Sequence, residues 1–202
     1  MVAALASGFG LGFLVAAEVG PIWLLCVRTS VRFGFRPGAA VGAGAATVDT
    51  VYAALGIAGA TALLRIDPLR ISLGLLGAAV LALIAVRTLW SAFRVREGGE
   101  TVEEIATPGR AYATALVATA SNPLTIASWA AIFSAASVAG LSAAPLLLGV
   151  AVGSSTWFAI LAGLSAAAGR RATPGALRAV DIVAGVGLAA FAGVLGARAL
   201  RG

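Results

Sequence analysis

Long apolar runs alternate with short polar breaks along the whole chain. Arginine-bearing breaks set off six apolar segments, at 3–27, 38–63, 70–91, 111–138, 145–168 and 178–199. Each exceeds the roughly 20 residues a helix needs to cross the hydrocarbon core. In lipid every backbone group must be satisfied internally, so the runs predict transmembrane helices. Two of the runs are interrupted. Ala16-Ala17-Glu18-Val19-Gly20-Pro21-Ile22 puts a carboxylate, a glycine and a proline inside the first. Ala120-Ser121-Asn122-Pro123-Leu124-Thr125 interrupts the fourth. Proline lacks a backbone N–H and clashes with the carbonyl four residues back, so both helices should kink or break there.

The two halves read as copies. Gly20-Pro21 is matched by Asn122-Pro123. The second segment opens with Pro37-Gly38 and carries Asp49-Thr50-Val51-Tyr52 at its middle. Its counterpart opens near Pro145 and carries Ser154-Ser155-Thr156-Trp157. Segments three and six both begin Leu-Arg, at 69–70 and 177–178, with Gly77 and Gly185 at matching depth. With three helices per half, the second copy must enter the membrane in the opposite orientation. The expectation is an all-α polytopic membrane protein: a single transmembrane domain over 1–202, six helices in an inverted 3+3 repeat, helices one and four broken. The repeats are 1–91 and 111–202, and the polar stretch 92–110 is a cytoplasmic linker. In such architectures paired helix breaks point to a binding site near the midplane.

Composition supports the membrane reading. The chain is 60% hydrophobic, against about 45–50% apolar in a soluble domain. Its 14 basic residues are all arginine and outnumber 8 acids, for a net charge of +6. On a soluble protein that excess would suggest nucleic acid, but here the arginines lie between apolar runs, where topology and lipid headgroups explain them. The odd-numbered connections hold nine of them: Arg28, Arg32, Arg36, Arg94, Arg96, Arg110, Arg170, Arg171 and Arg178. The other side has Arg65, Arg70, Arg198 and Arg201, and Arg87 can snorkel. The positive-inside rule therefore puts the odd loops in the cytoplasm and both termini outside. The N-terminus lacks a charged n-region, so residues 3–27 are expected to be retained rather than cleaved.

Histidine is absent and Cys26 is the only cysteine, which removes His-based zinc sites, Ser-His catalysis, CxxC redox pairs and intrachain disulfides. No cofactor or metal is expected. An aspartyl mechanism would need Asp49 and Asp181 to meet, and they fall at different depths. Asp181 has a ready partner in Arg178, one turn back.

Candidate chemistry concentrates in the breaks and at Asp49. An intramembrane ionisable residue marks function by default, and Asp49 sits near the centre of its helix with no arginine close in sequence. It is the proton-coupling candidate; the alternative is a structural acid bonded to serine or threonine. Glu18 beside the break would cost about 2.5–3.5 kcal/mol to insert ionised near the bilayer centre. It belongs either to the substrate site or to an interfacial pair with an arginine. The substrate-binding candidates are Glu18, Gly20, Pro21, Asn122, Pro123, Thr125 and Ser155. Trp23, Trp129 and Trp157 lie deep, whereas Trp90 and Tyr112 fall at helix ends as interfacial anchors. Gly38-x-x-x-Gly42 and Gly149-x-x-x-Gly153 are small-residue faces for helix packing.

Taken in order, Ala16-Ala17-Glu18-Val19-Gly20-Pro21-Ile22, Gly34 and Gly38, Gly42-x-Gly44-Ala45-Ala46-x-x-Asp49, Asn122-Pro123-x-Thr125-Ile126 and Ala130-Ala131-Ile132-Phe133 resemble the LysE family of amino-acid exporters. The resemblance runs through the whole chain. It implies a multi-pass protein of the bacterial inner membrane that exports amino acids or related small metabolites, driven by the proton or ion gradient. Members usually carry proline where this chain has Glu18, a departure that fits tuning toward a cationic substrate. Its partners would be a small-molecule substrate and the bilayer, with homo-oligomerisation left open. The second functional reading is a metal-cation exporter using Glu18 and Asp49 as hard oxygen ligands, although two carboxylates are few for such a site.

Overall fold

Helix boundaries follow the breaks in the apolar pattern. The computed structural model describes residues 1–58, 79, 82, 83, 86, 107–122, 125, 126, 128, 129, 132 and 141–201. These form six helices: α1 Val2–Ala17, α2 Pro21–Phe33, α3 Phe35–Ile57, α4 Pro108–Ala120, α5 Ala143–Gly169 and α6 Pro174–Arg201. Residues 125, 126, 128, 129 and 132 are also helical, and no strand occurs among the described residues. Pro123, Gly77, Trp90, nearly all of the expected third helix and most of the 92–110 linker lie outside the described residues.

The first apolar run is a pair of helices with a sharp bend between them. α1 and α2 meet at 78°. The Glu18 N–H closes α1 on the Val15 carbonyl at 3.2 Å. Gly20 caps α2 in an extended conformation, and Pro21 takes the first helical position, where its missing N–H would have been unpaired anyway. The reading of Arg28 and Arg32 as loop residues is corrected here, because α2 runs on through both. The connection to α3 contracts to Gly34, whose φ of +88° an L-residue rarely adopts. Its N–H closes α2 on the Ser30 carbonyl at 2.9 Å.

α2 can continue past its arginines because their charge is neutralised inside the protein. Arg28 Nε donates to Asp181 Oδ1 at 2.9 Å, and Arg32 Nη2 donates to Asp181 Oδ2. Arg28 is 4% and Asp181 1% exposed, so this pairing of α2 with α6 is buried. Sequence proximity pointed to Arg178 for Asp181. The fold brings up two further arginines from some 150 residues away.

α3 and α5, of 23 and 27 residues, are each long and apolar enough to cross a membrane, and the bent α1–α2 pair passes the same test when taken together. Large apolar side chains face outward: Leu14, Leu148, Leu164 and Val183 are 58–68% exposed. In water such a surface would be an aggregation hazard, but in a bilayer it is the solvated face.

Inside, helix contact depends on small residues. A Cβ on Gly8 or Gly12 would overlap the Leu146 or Val150 carbonyl of α5, and one on Gly149 or Gly153 would overlap the Leu5 or Phe9 carbonyl of α1. The Gly149-x-x-x-Gly153 face expected from sequence thus meets a Gly8-x-x-x-Gly12 face that only the assembled fold reveals. Lipid is as apolar as leucine, so close backbone approach rather than hydrophobicity holds such a pair together. Gly38 and Gly42 give Ser30 and Phe158 the same access to α3. The central cluster is built largely of alanine, with Leu25, Cys26, Val41 and Phe158 filling it.

Replacing Gly153 by leucine is therefore expected to separate α1 from α5, at a cost of at least about 1–3 kcal/mol. Gly163 lies on the same helix, and a Cβ there would meet no atom within 4 Å, so Gly163→Leu is the matched control. Thermal unfolding of both variants in detergent checks this; equal midpoints would remove the interlocked faces as a stability determinant.

Candidate functional site

Both helix breaks open onto one cleft. The cavity itself is narrow, about 30 Å³. Val15, Ala16, Glu18 and Gly20 line it from the first break, and Thr119, Asn122 and Thr125 from the second. Asp49 of α3 and Phe158 of α5 complete the inner wall, with Trp23 of α2 beside Glu18.

Asp49 is 3% exposed and has both oxygens engaged. Trp129 Nε1 donates to Oδ1 at 3.0 Å, and the Ser154 hydroxyl donates to Oδ2 at 2.7 Å. These two donors come from α5 and from the helical residues that follow the second break. They hold the carboxylate in place yet leave lone pairs free, since a carboxylate offers about four acceptor positions. Among the described residues no arginine is hydrogen-bonded to it, and a buried carboxylate without such a partner is costly.

Glu18 lies at the outer end and is exposed. The Ser128 hydroxyl lies 3.0 and 2.9 Å from its two carboxylate oxygens and donates to that group. The second break is tied down in a similar way. Asn122 is buried and its Nδ2 donates to Thr125 Oγ1 at 3.0 Å. The Tyr52 hydroxyl donates to the carbonyl of Ala120, one of the groups left without an intrahelical partner where α4 ends.

Among the residues expected from sequence, Glu18, Gly20, Asp49, Asn122 and Thr125 all line the cleft. Pro21 is buried immediately behind Gly20, where it starts α2 rather than touching the cavity. Pro123 lies outside the described residues. Ser155 is exposed on α5. Successive helical residues turn by about 100°, and the inward position falls to its neighbour Ser154. The segment was legible, but periodicity alone could not choose between adjacent serines. Ser128 and Thr119 were also missed, as hydroxyls in apolar runs that carry no signal until the helices are assembled.

The donor set limits what the cleft can hold. Among the described residues no group of three or more His, Cys, Asp and Glu side chains comes together. The cleft instead offers two carboxylates, several hydroxyls and an amide. It also contains the start of α2, whose first N–H groups have no intrahelical partner and no side-chain cap. Negative groups thus stand close to a helix N-terminus that favours anions. The arrangement can meet both charges of a small zwitterion.

A family model described as LysE type translocator matches residues 13–198. The chemotactic transduction protein ChpE of Pseudomonas aeruginosa is 33% identical over 125 residues, which is 61% of this chain and 60% of that protein. No solved structure matches.

Proposed function

Because the chain belongs to the LysE-type translocator family, we propose that it is a secondary active transporter exporting amino acids or related small metabolites. The observation that carries the reading is the cleft where two helix breaks converge on the buried carboxylate of Asp49. In this reading Glu18, Gly20, Asn122 and Thr125 bind the substrate, and Asp49 exchanges a proton with the gradient that drives efflux. The first N–H groups of α2 receive the substrate carboxylate, while Glu18 and Asp49 attract its amine. Ser154 stands in the place expected of Ser155, positioning Asp49.

The architecture proposed is an inverted repeat of 1–91 and 111–202 joined by the 92–110 linker, in the bacterial inner membrane with the odd loops cytoplasmic. Two features support it: the bend at Gly20-Pro21 has its counterpart where α4 stops at Ala120, and α3 and α5 occupy corresponding places in the two halves.

Reconstitution tests the reading directly. The purified protein in liposomes, given an imposed proton gradient, is expected to move one class from a panel of radiolabelled amino acids. Movement of divalent cations in place of amino acids would favour the metal-cation alternative. A folded protein that moves neither would overturn both.

A further inference from the structure

Five hydroxyls in or at the ends of the described helices share a bond that Thr119 lacks. Ser30, Thr47, Thr50, Ser121 and Thr156 each donate to the carbonyl four residues earlier, at 2.7–2.8 Å. That back-bonding is the ordinary way a hydroxyl is satisfied in an apolar helix. Thr119, in the last turn of α4, does not use it, although the Ala115 carbonyl stands at the same register. Its side chain is 2% exposed and its Oγ1 has no hydrogen-bond partner among the described residues. A buried hydroxyl left unpaired is rare enough in native proteins to need a reason. Thr119 lines the cleft together with Asp49 and Asn122.

We infer that Thr119 is a substrate contact at the inner end of the cleft, its Oγ1 accepting a hydrogen bond from the substrate ammonium group whose charge Asp49 balances. The inference rests on the transport reading and adds a residue to it. An ammonium carries three N–H donors and needs as many acceptors. Asp49 already serves two protein donors, so its remaining lone pairs alone leave the ammonium short. Thr119 supplies a neutral acceptor that adds no further charge to the cavity.

Thr119→Val keeps the shape and removes the hydroxyl, and Thr119→Ser keeps the hydroxyl. Thr29 is the second buried hydroxyl without a partner, but it does not line the cleft, so Thr29→Val serves as the control. The full-length protein in liposomes is assayed with labelled L-alanine, L-leucine and L-lysine. Whichever is moved is then tested beside its Nα-trimethylated analogue, which has no N–H on that nitrogen. The expected result is a half-saturation concentration raised about tenfold in Thr119→Val, restored in Thr119→Ser and unchanged in Thr29→Val. Half-saturation for the trimethylated analogue should be equal in wild type and Thr119→Val. The unfolding midpoint of ligand-free Thr119→Val should equal or exceed that of wild type, because no hydrogen bond is lost. An unchanged half-saturation, or a lowered ligand-free midpoint, would overturn the assignment in favour of a structural hydroxyl. If wild type moves none of the three probes, the transport reading fails with it; if wild type transports and Thr119→Val matches it, this assignment alone fails.

Discussion

Asp181→Asn is expected to be the most destabilising single change in this protein. The carboxylate joins Arg28 and Arg32 of α2 to α6 from a position only 1% exposed. Asparagine keeps the size but removes the charge, leaving two guanidiniums facing a neutral amide. Removing one partner of a buried ion pair typically costs about 3–5 kcal/mol. Arg32→Ala should cost less, because Arg32 is 19% exposed and leaves the Arg28–Asp181 pair intact. Thermal unfolding in detergent, with the folded fraction followed by gel filtration, ranks the two. If Asp181→Asn proves as stable as wild type, the buried cluster is not what holds α6 to α2.

The largest expected effect on activity comes from Asp49→Asn. Its carboxylate accepts from two donors, Trp129 and Ser154. An asparagine can satisfy one of them but must turn its NH₂ toward the other, and it cannot take up or release a proton. Net flux driven by a proton gradient is expected to fall about a hundredfold, the scale of losing a hydrogen bond to a charged group. Exchange of labelled for unlabelled substrate, which needs no net proton movement, should survive at reduced affinity. Loss of both activities together would mark Asp49 as a binding or structural residue, and wild-type net flux would end its assignment to coupling.

The helix plan was legible because lipid imposes it. A run of about 25 apolar residues permits little other than a helix, and a proline within it permits little other than a break. The junction between α1 and α2 and the end of α4 at Ala120 accordingly fall where Gly20-Pro21 and Asn122-Pro123 predicted. Asp49 and Glu18 were legible for the same reason, as charge is scarce in such segments and each instance calls for an explanation. What escaped notice depends on partners far away in sequence. Arg28 and Arg32 look like ordinary cytoplasmic arginines until Asp181 arrives to bury them. Gly8 and Gly12 look like generic small residues until the α5 backbone lies across them. Thr119 looks like a solitary hydroxyl in an alanine-rich helix, and only the cleft on one side of it gives that hydroxyl a use.

The partners of the broken first span also set an order of events during synthesis. Its two arms, α1 and α2, emerge from the ribosome first, but α1 is held by glycines of α5 and α2 by a carboxylate of α6. A segment as apolar as 3–27 is long enough to enter the membrane before either holder exists. Helices made later therefore complete the packing around the angle at Gly20, and Thr119, Asn122, Thr125 and Phe158 complete the cleft. A chain cut before Asp181 would lack the carboxylate that joins Arg28 and Arg32 to α6.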